Sequence, residues 1–213
     1  MYKLLISLFA LVAVSSAAII PVNPTSNLSQ FEHSKAYLWR INLAEYIPDG
    51  ETLESAILYL DQINNNPEPD YSDVLYVDLV KLNYAGGSPN DVRVYSNDGY
   101  GDRFMSKDSR WSEASNIDTY SDNNATFTYY PYYSINNQPE NLAYSIDINK
   151  IYEYMNGPAN GWIGIGFDGD CHYSNSSVSL VLTTKPPTTV PEPALLSLLG
   201  CGLLGMAFFR RKK

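Results

Sequence analysis

The chain has 213 residues, of which 45% are hydrophobic, and it carries 14 Lys and Arg against 23 Asp and Glu. Five of the cations and one of the acids lie in the terminal segments described below, so the central part keeps nine cations against 22 acids. Such an acidic surface excludes binding of nucleic acid through its phosphates, and it suits cations, neutral glycans or simple solubility. The central part has the length of one domain with a substantial core.

The first residues have the pattern of a secretory signal peptide. Lys3 supplies a positive charge, residues 4–14 form an apolar run, and residues 15–18 are the small residues that a cleavage site needs. We predict a signal peptide over residues 1–18, with cleavage after Ala17 or Ala18. The apolar run is too short for a membrane-spanning helix, so the rest of the chain is expected to be exported.

Residues 19–184 contain short segments typical of β-strands, separated by loops rich in Gly, Pro, Asn and Asp. One short helix is predicted at residues 149–156, with Asn149 as its N-cap, and the polar residues 23–34 are predicted to be a lead-in. Because strands do not alternate with helices, we predict an all-β domain, an antiparallel β-sandwich of jelly-roll-like topology. The predicted strands cover residues 36–43, 55–61, 74–80, 92–95, 127–130, 142–148, 162–167 and 178–183.

Tyrosine is unusually frequent, with 18 residues in the chain. Four of them are Tyr129, Tyr130, Tyr132 and Tyr133. Aromatic rings stack on sugar rings and Tyr hydroxyls add hydrogen bonds, so this segment predicts a platform for glycan binding. Packing of the tyrosines as cross-strand pairs inside the sandwich is the alternative.

Two carboxylates, Asp168 and Asp170, are separated by one glycine at the end of a predicted strand. Such an arrangement offers oxygen ligands to Ca²⁺ at about 2.4 Å, and Asp61 joins them if its strand is a neighbour. The loop acids Asp70 and Asp73 are further candidates. The alternative is a polar loop whose Asp side chains bond to their own backbone.

Cys171 is the single cysteine of the predicted exported domain, which excludes a disulfide within it. His172 follows directly, and His33 is the other histidine of the chain. Adjacent residues of a strand point to opposite faces, which argues against a nucleophilic Cys–His pair. Two histidines and one cysteine also serve zinc poorly. We therefore predict no catalytic residues.

The end of the chain has three parts in order. After a Pro- and Thr-rich linker at residues 185–190 come Pro191, Glu192 and Pro193, an uncharged run at residues 194–209, and four cations at residues 210–213. A helix of 16 residues is about 24 Å long, somewhat less than the hydrocarbon core of about 30 Å. We predict a short transmembrane helix whose cations stay on the cytoplasmic side.

These residues resemble the PEP-CTERM sorting signal. In bacteria that make exopolysaccharide, a membrane-embedded exosortase recognises such tails. The resemblance implies exosortase as a partner, cleavage near residues 191–193, and release or transfer of the mature domain. A plain single-span tail anchor is the alternative. Residues 47–60 and 161–168 are similar in a more general way to exported bacterial β-sandwich modules, which supports the fold and implies no activity.

Together these features predict an exported, exosortase-processed protein of the cell surface or extracellular matrix. We expect it to be non-enzymatic and associated with exopolysaccharide. A calcium-assisted carbohydrate-binding module is the alternative. A glycan hydrolase would need two carboxylates placed across a cleft, and the sequence offers no convincing pair.

Overall fold

The structure is a computed structural model that describes residues 17–65, 73–82, 85, 87–96, 127–129 and 138–187. Most of the predicted signal peptide and all of the predicted transmembrane helix lie outside this part. The described elements are β1 (Ala18–Val22), β2 (Gln30–Phe31), β3 (Lys35–Asn42), a 3₁₀ turn (Leu43–Glu45), β4 (Thr52–Asn65), β5 (Leu75–Lys81), β6 (Val92–Ser96), β7 (Phe127–Tyr129), β8 (Glu140–Ser145), α1 (Ile148–Met155), β9 (Trp162–Gly169), β10 (Tyr173–Ser174) and β11 (Ser177–Lys185).

The strands form two antiparallel sheets. The first has the order β1-β11-β4-β10-β2, with β8 also paired to β4, and the second has the order β6-β3-β9-β5-β7. Four pairs are nested along the chain, because β1 pairs with β11, β3 with β9, β4 with β8, and β5 with β7. A long antiparallel hairpin rolled into two sheets has this pairing, which is that of a jelly roll. The predicted class, all-β with antiparallel sheets and one short helix, is confirmed for the described residues.

One hydrophobic core lies between the two sheets. The first sheet contributes Leu58 and Leu180, and the second contributes Trp39, Ile165 and Phe167, all in a single cluster of buried side chains. Burial alternates along β4 and β11 because successive side chains of a strand point to opposite faces. The alternation that identifies these strands in the sequence therefore also builds the core.

A β-bulge in β4 keeps that strand in the core along its whole length. The register with β8 shifts between Leu60 and Ile63, and Gln62 has a φ of 53°. Leu60 and Ile63 are both fully buried, although residues three positions apart point to opposite faces of a regular strand. The backbone N–H and the side-chain amide of Gln62 both donate to Oδ1 of Asn141 on β8, at 2.8 and 3.0 Å. The bulge thus places Ile63, in the second half of β4, on the core face of the sheet again.

The helix α1 begins one residue before its predicted position and has a different cap. Its N-cap is Asp147, whose side chain accepts a hydrogen bond from the N–H of Asn149 at 2.8 Å. The prediction of Asn149 as the cap is therefore wrong. An Asp in extended conformation satisfies the free N–H groups of a first helical turn as well as Asn does. The helix buries Ile151 and Tyr154 on one face.

Three strands are missing from the sequence prediction. The predicted lead-in at residues 23–34 contains β2, in which Phe31 is fully buried and stacks on Phe167 with ring centres 5.0 Å apart. Strands β2 and β10 have two residues each, too few for an alternating pattern. Strand β1 contains Pro21, which is tolerated because β1 is an edge strand of the first sheet within the part of the chain that the structure describes.

We expect Ile163→Ala to lower the free energy of unfolding by about 2–5 kcal/mol, because Ile163 is fully buried in the core on β9. The matched control is Ile19→Ala, since Ile19 on β1 is 73% exposed, and this change should stay within about 0.5 kcal/mol. Chemical denaturation of the purified protein measures both. Equal losses for the two variants would contradict the proposed core.

Candidate functional site

The two ends of the sandwich differ, and each receives a name here. The terminal end is where β1 begins and β11 ends, since Ala18 pairs with Thr184 and Thr52 pairs with Lys185. The distal end carries β2, β10 and the loop from β9 to β10. The nine residues of β11 connect the two ends, a distance of about 30 Å.

The predicted calcium ligands lie in different sheets. Asp168 is on β9 of the second sheet and is fully buried, and Asp170 follows that strand at the distal end. Asp61 is on β4 of the first sheet, where its carboxylate accepts a hydrogen bond from Ser177 at 2.6 Å. Within the described ranges, no group of three or more His, Cys, Asp or Glu is arranged to hold a metal ion. Calcium binding stays a prediction, and these three residues do not form one site.

Asp168 lies on the face of the second sheet that points away from the core. Its neighbour Phe167 is in the core, so Asp168 occupies the opposite face. Asp78 on β5, which the sequence did not single out, lies on that same face and is only 1% exposed. Alternation along β5, where Val77 and Leu79 are core residues, could have indicated it.

Arg40 is the buried cation of the same face. Its guanidinium lies over the ring of Trp162 at 5.2 Å, and its Nη1 is 3.6 Å from Oδ2 of Asp91. Burial lowers the pKa of Arg40, while the negative charge of Asp91 acts in the opposite direction. Gly87, at a φ of +97°, passes so close that a Cβ there would meet Nη1 of Arg40 at 2.6 Å. The guanidinium of Arg40 is therefore closely enclosed by Trp162, Asp91 and Gly87.

The predicted tyrosine platform is only partly within the described residues. Tyr129 on β7 is 7% exposed and packs edge-on against Tyr173 at the distal end, with ring centres 6.3 Å apart. Tyr129 is thus packed inside the sandwich, and its aromatic partner belongs to the other sheet rather than to a neighbouring strand. Tyr130, Tyr132 and Tyr133 lie outside the described residues, so a role of these residues in glycan binding stays a prediction.

A polar cluster at the distal end was only partly foreseen. It consists of Asn65, Asp73, Cys171 and Tyr173, and the side-chain amide of Asn65 donates to Asp73 at 2.6 Å. Within the described ranges the Tyr173 hydroxyl and Oδ1 of Asn65 are buried without a hydrogen-bond partner. Burial raises the pKa of Tyr173, and the charges of Asp73 and Asp170 raise it further. The sequence had suggested Asp73 as an additional ligand but not Asn65 or Tyr173.

Cys171 is the half-buried thiol of this polar cluster. Burial raises the pKa of its thiol, and the negative charge of Asp73 adds to the rise. A thiol is nucleophilic only as the thiolate, so a raised pKa disfavours covalent catalysis by Cys171.

The two ends of the described chain leave the sandwich together. Ala18 and Thr184 are paired on adjacent strands, and Pro187 lies 4.0 Å from the position of a Cβ on Gly50. Anything attached before residue 17 and after residue 187 is therefore joined to the terminal end. The molecule is thus a β-sandwich in which the segments before residue 17 and after residue 187 are both joined to the terminal end.

Comparison with known proteins identifies the segment that follows. A family model described as PEP-CTERM protein-sorting motif matches residues 189–212. The chain therefore carries a PEP-CTERM sorting motif, as the sequence predicted. No curated protein and no solved structure matches the chain. Among the described residues, no helix has the length and apolar character needed to cross a membrane, and the predicted helix at residues 194–209 lies outside them.

We expect Tyr173→Phe to leave the free energy of unfolding unchanged or to raise it by up to about 1 kcal/mol, because the hydroxyl that is lost is buried without a partner. The control is Tyr152→Phe, whose hydroxyl accepts a hydrogen bond from the N–H of Leu53 at 2.7 Å and should cost about 0.5–1.5 kcal/mol. Chemical denaturation measures both. A loss at Tyr173 as large as that at Tyr152 would show that its hydroxyl has a partner.

Proposed function

We propose that this protein is exported, held at the membrane by its C-terminal segment, and then processed by an exosortase at residues 191–193. The single observation that carries the proposal is the PEP-CTERM motif at residues 189–212. The β-sandwich is the cargo, and its destination is the cell surface or the extracellular matrix. Cations at residues 210–213 keep the end of the tail on the cytoplasmic side.

The position of the motif supports processing of a folded domain. Strand β11 ends at Lys185, and the five residues 186–190 separate it from Pro191. An extended, Pro-rich linker gains about 3.1 Å per residue, so the cleavage motif is within about 16 Å of the sheet. The exosortase therefore meets the terminal end of the sandwich, and the distal end points away from it.

The register of β1 favours one of the two predicted signal-peptide cleavage sites. Ala18 is the first residue of β1 and pairs with Thr184. Cleavage after Ala17 leaves all five pairs between β1 and β11 in place, whereas cleavage after Ala18 removes the first of them. We infer cleavage after Ala17, because the longer product keeps the complete strand.

The proposed role of the cargo is that of a non-enzymatic component associated with exopolysaccharide. Its acidic composition supports solubility in a hydrated matrix. Its compact β-sandwich, which draws one core from both sheets, supports durability outside the cell without a disulfide. A structural role of this kind requires no reactive group, and the raised pKa of Cys171 agrees with that.

A calcium-assisted carbohydrate-binding module is the second candidate. The observation that favours it is the distal end, where Asp73 and Asp170 both influence the buried Tyr173 hydroxyl. Carboxylate oxygens and the carbonyl oxygens of Asn side chains are among the ligands that Ca²⁺ takes in proteins. In this version of the proposal, Asp73, Asp170 and Asn65 replace the set of Asp61, Asp168 and Asp170.

Replacement of Pro191, Glu192 and Pro193 by Ala should leave an uncleaved precursor in the membrane fraction of the native host, because the exosortase no longer recognises its substrate. The matched control replaces Thr188 and Thr189 by Ala in the adjacent linker and should be processed normally. Mass spectrometry of the membrane, surface and medium fractions measures the size and location of the product. A motif variant processed to the normal size and place would overturn the proposal.

Glycan arrays probed with and without a chelator separate the two roles of the cargo. A matrix component should show no specific glycan binding and should be enriched in the matrix fraction. A calcium-assisted module should bind specific glycans, lose binding with chelator, and lose it again in Tyr130→Ala or Tyr132→Ala. Binding that survives both the chelator and these substitutions would contradict the second candidate.

A further inference from the structure

The two histidines of the chain, which are 139 positions apart in the sequence, lie side by side at the distal end. His33 is in the turn between β2 and β3, and His172 is in the loop between β9 and β10. Their ring centres are 6.4 Å apart, and the ring planes differ by 18°. His172 is exposed and His33 is half-buried, so the pair is accessible from outside.

A hydrogen bond to the backbone favours one tautomer of the neutral His33 ring. Nδ1 of His33 is hydrogen-bonded to the carbonyl oxygen of Asp170. A carbonyl only accepts, so Nδ1 carries the hydrogen and the lone pair of the neutral ring is on Nε2. Asp170 is itself held, because its N–H donates to the carbonyl of Val74 at 2.8 Å. Histidines that bind metals commonly donate their second ring nitrogen to a carbonyl in this way, which orients the ring.

We propose that His33 and His172 together bind a divalent first-row transition-metal ion of the type of Zn²⁺ or Ni²⁺. Imidazole nitrogen suits these ions, whereas Ca²⁺ takes oxygen ligands, so this proposal is distinct from the calcium site considered above. It does not depend on the proposed function. The segment from Asp170 to His172 links it to the rest of the distal end, but Cys171 belongs to the inward polar cluster.

The distance between the two ring centres, 6.4 Å, is close to that of two imidazole rings bound on opposite sides of one ion. Metal–nitrogen bonds are about 2.0–2.1 Å and a ring nitrogen lies roughly 1 Å from its ring centre, so two rings on opposite sides of one ion have centres about 6 Å apart. A tetrahedral angle at the ion brings the rings closer by about 1 Å, and rotation of the exposed His172 side chain supplies that movement. The described ranges hold no third His, Cys, Asp or Glu placed to complete the site. Water or an outside donor would fill the remaining positions, so the site is open to a further ligand.

Calorimetric titration of Zn²⁺ and of Ni²⁺ into the metal-free full chain tests the proposal. The protein is purified in detergent without a histidine tag. We expect one ion per chain, and a rise in melting temperature with Zn²⁺. His33→Gln and His172→Gln should each weaken binding by more than about tenfold, and the double variant should abolish it.

Two controls keep the result interpretable. Cys171→Ser and Asp61→Asn should both bind Zn²⁺ like the unaltered protein, because neither side chain belongs to the histidine pair. His172 is exposed, so His172→Gln should fold normally and gives a valid result even if His33→Gln is destabilised. No binding to the unaltered protein, or equal binding to the His172→Gln variant, would overturn the proposal.

Discussion

Five residue pairs between β1 and β11, from Ala18–Thr184 to Val22–Leu180, join the beginning of the domain to its end. This pairing is the outermost of the nested pairs that build the two sheets, and the others lie inside it along the chain. Because it is antiparallel, it places the first residue of β1 beside the end of β11. The location of both attachments on one end of the molecule follows from this single register.

As a consequence, the terminal end and the distal end of the sandwich have different surroundings. The terminal end is next to the sorting motif and, in the proposed function, next to the membrane and the exosortase. The distal end is about 30 Å away along β11. It carries several polar side chains, among them Asn65, Asp73 and the two histidines. In the proposed function, a ligand that arrives from outside the cell would meet this end first.

The sequence predicted the fold class well because the fold depends on alternation. The segments around Leu58 and Leu180 alternate between buried and more exposed positions, and a period of two is visible without coordinates. Strands β3 and β9 are buried along nearly their whole length, and they were recognised from their apolar and aromatic residues. The bulge at Gln62 could not be foreseen, because it depends on the partner strand and on Asn141 of β8. Strands of two residues, such as β10, are too short to show a period, and they are defined by their pairing with neighbouring strands.

The site was harder to predict than the fold because it depends on contacts between residues that are distant in the sequence. Asp168 and Asp170 are close in sequence, which made them natural partners, but their strand geometry sends Asp168 to a buried face of the second sheet. His33 and His172 looked like isolated residues. The pairing of β2 with β10 and of β3 with β9 brings them together, and only contacts distant in sequence could reveal it. The sorting motif was recognised because its three parts are consecutive.

Pro21 gives β1 a property that matters in a crowded environment. A proline has no backbone N–H, so the outer border of β1 lacks one of the donors that an incoming chain would need to extend the sheet. At high local concentration, copies of the protein are thereby discouraged from stacking into fibrils along this border, even though Ile19 is exposed beside it. Any higher-order assembly of the protein would then depend on side chains rather than on backbone ladders.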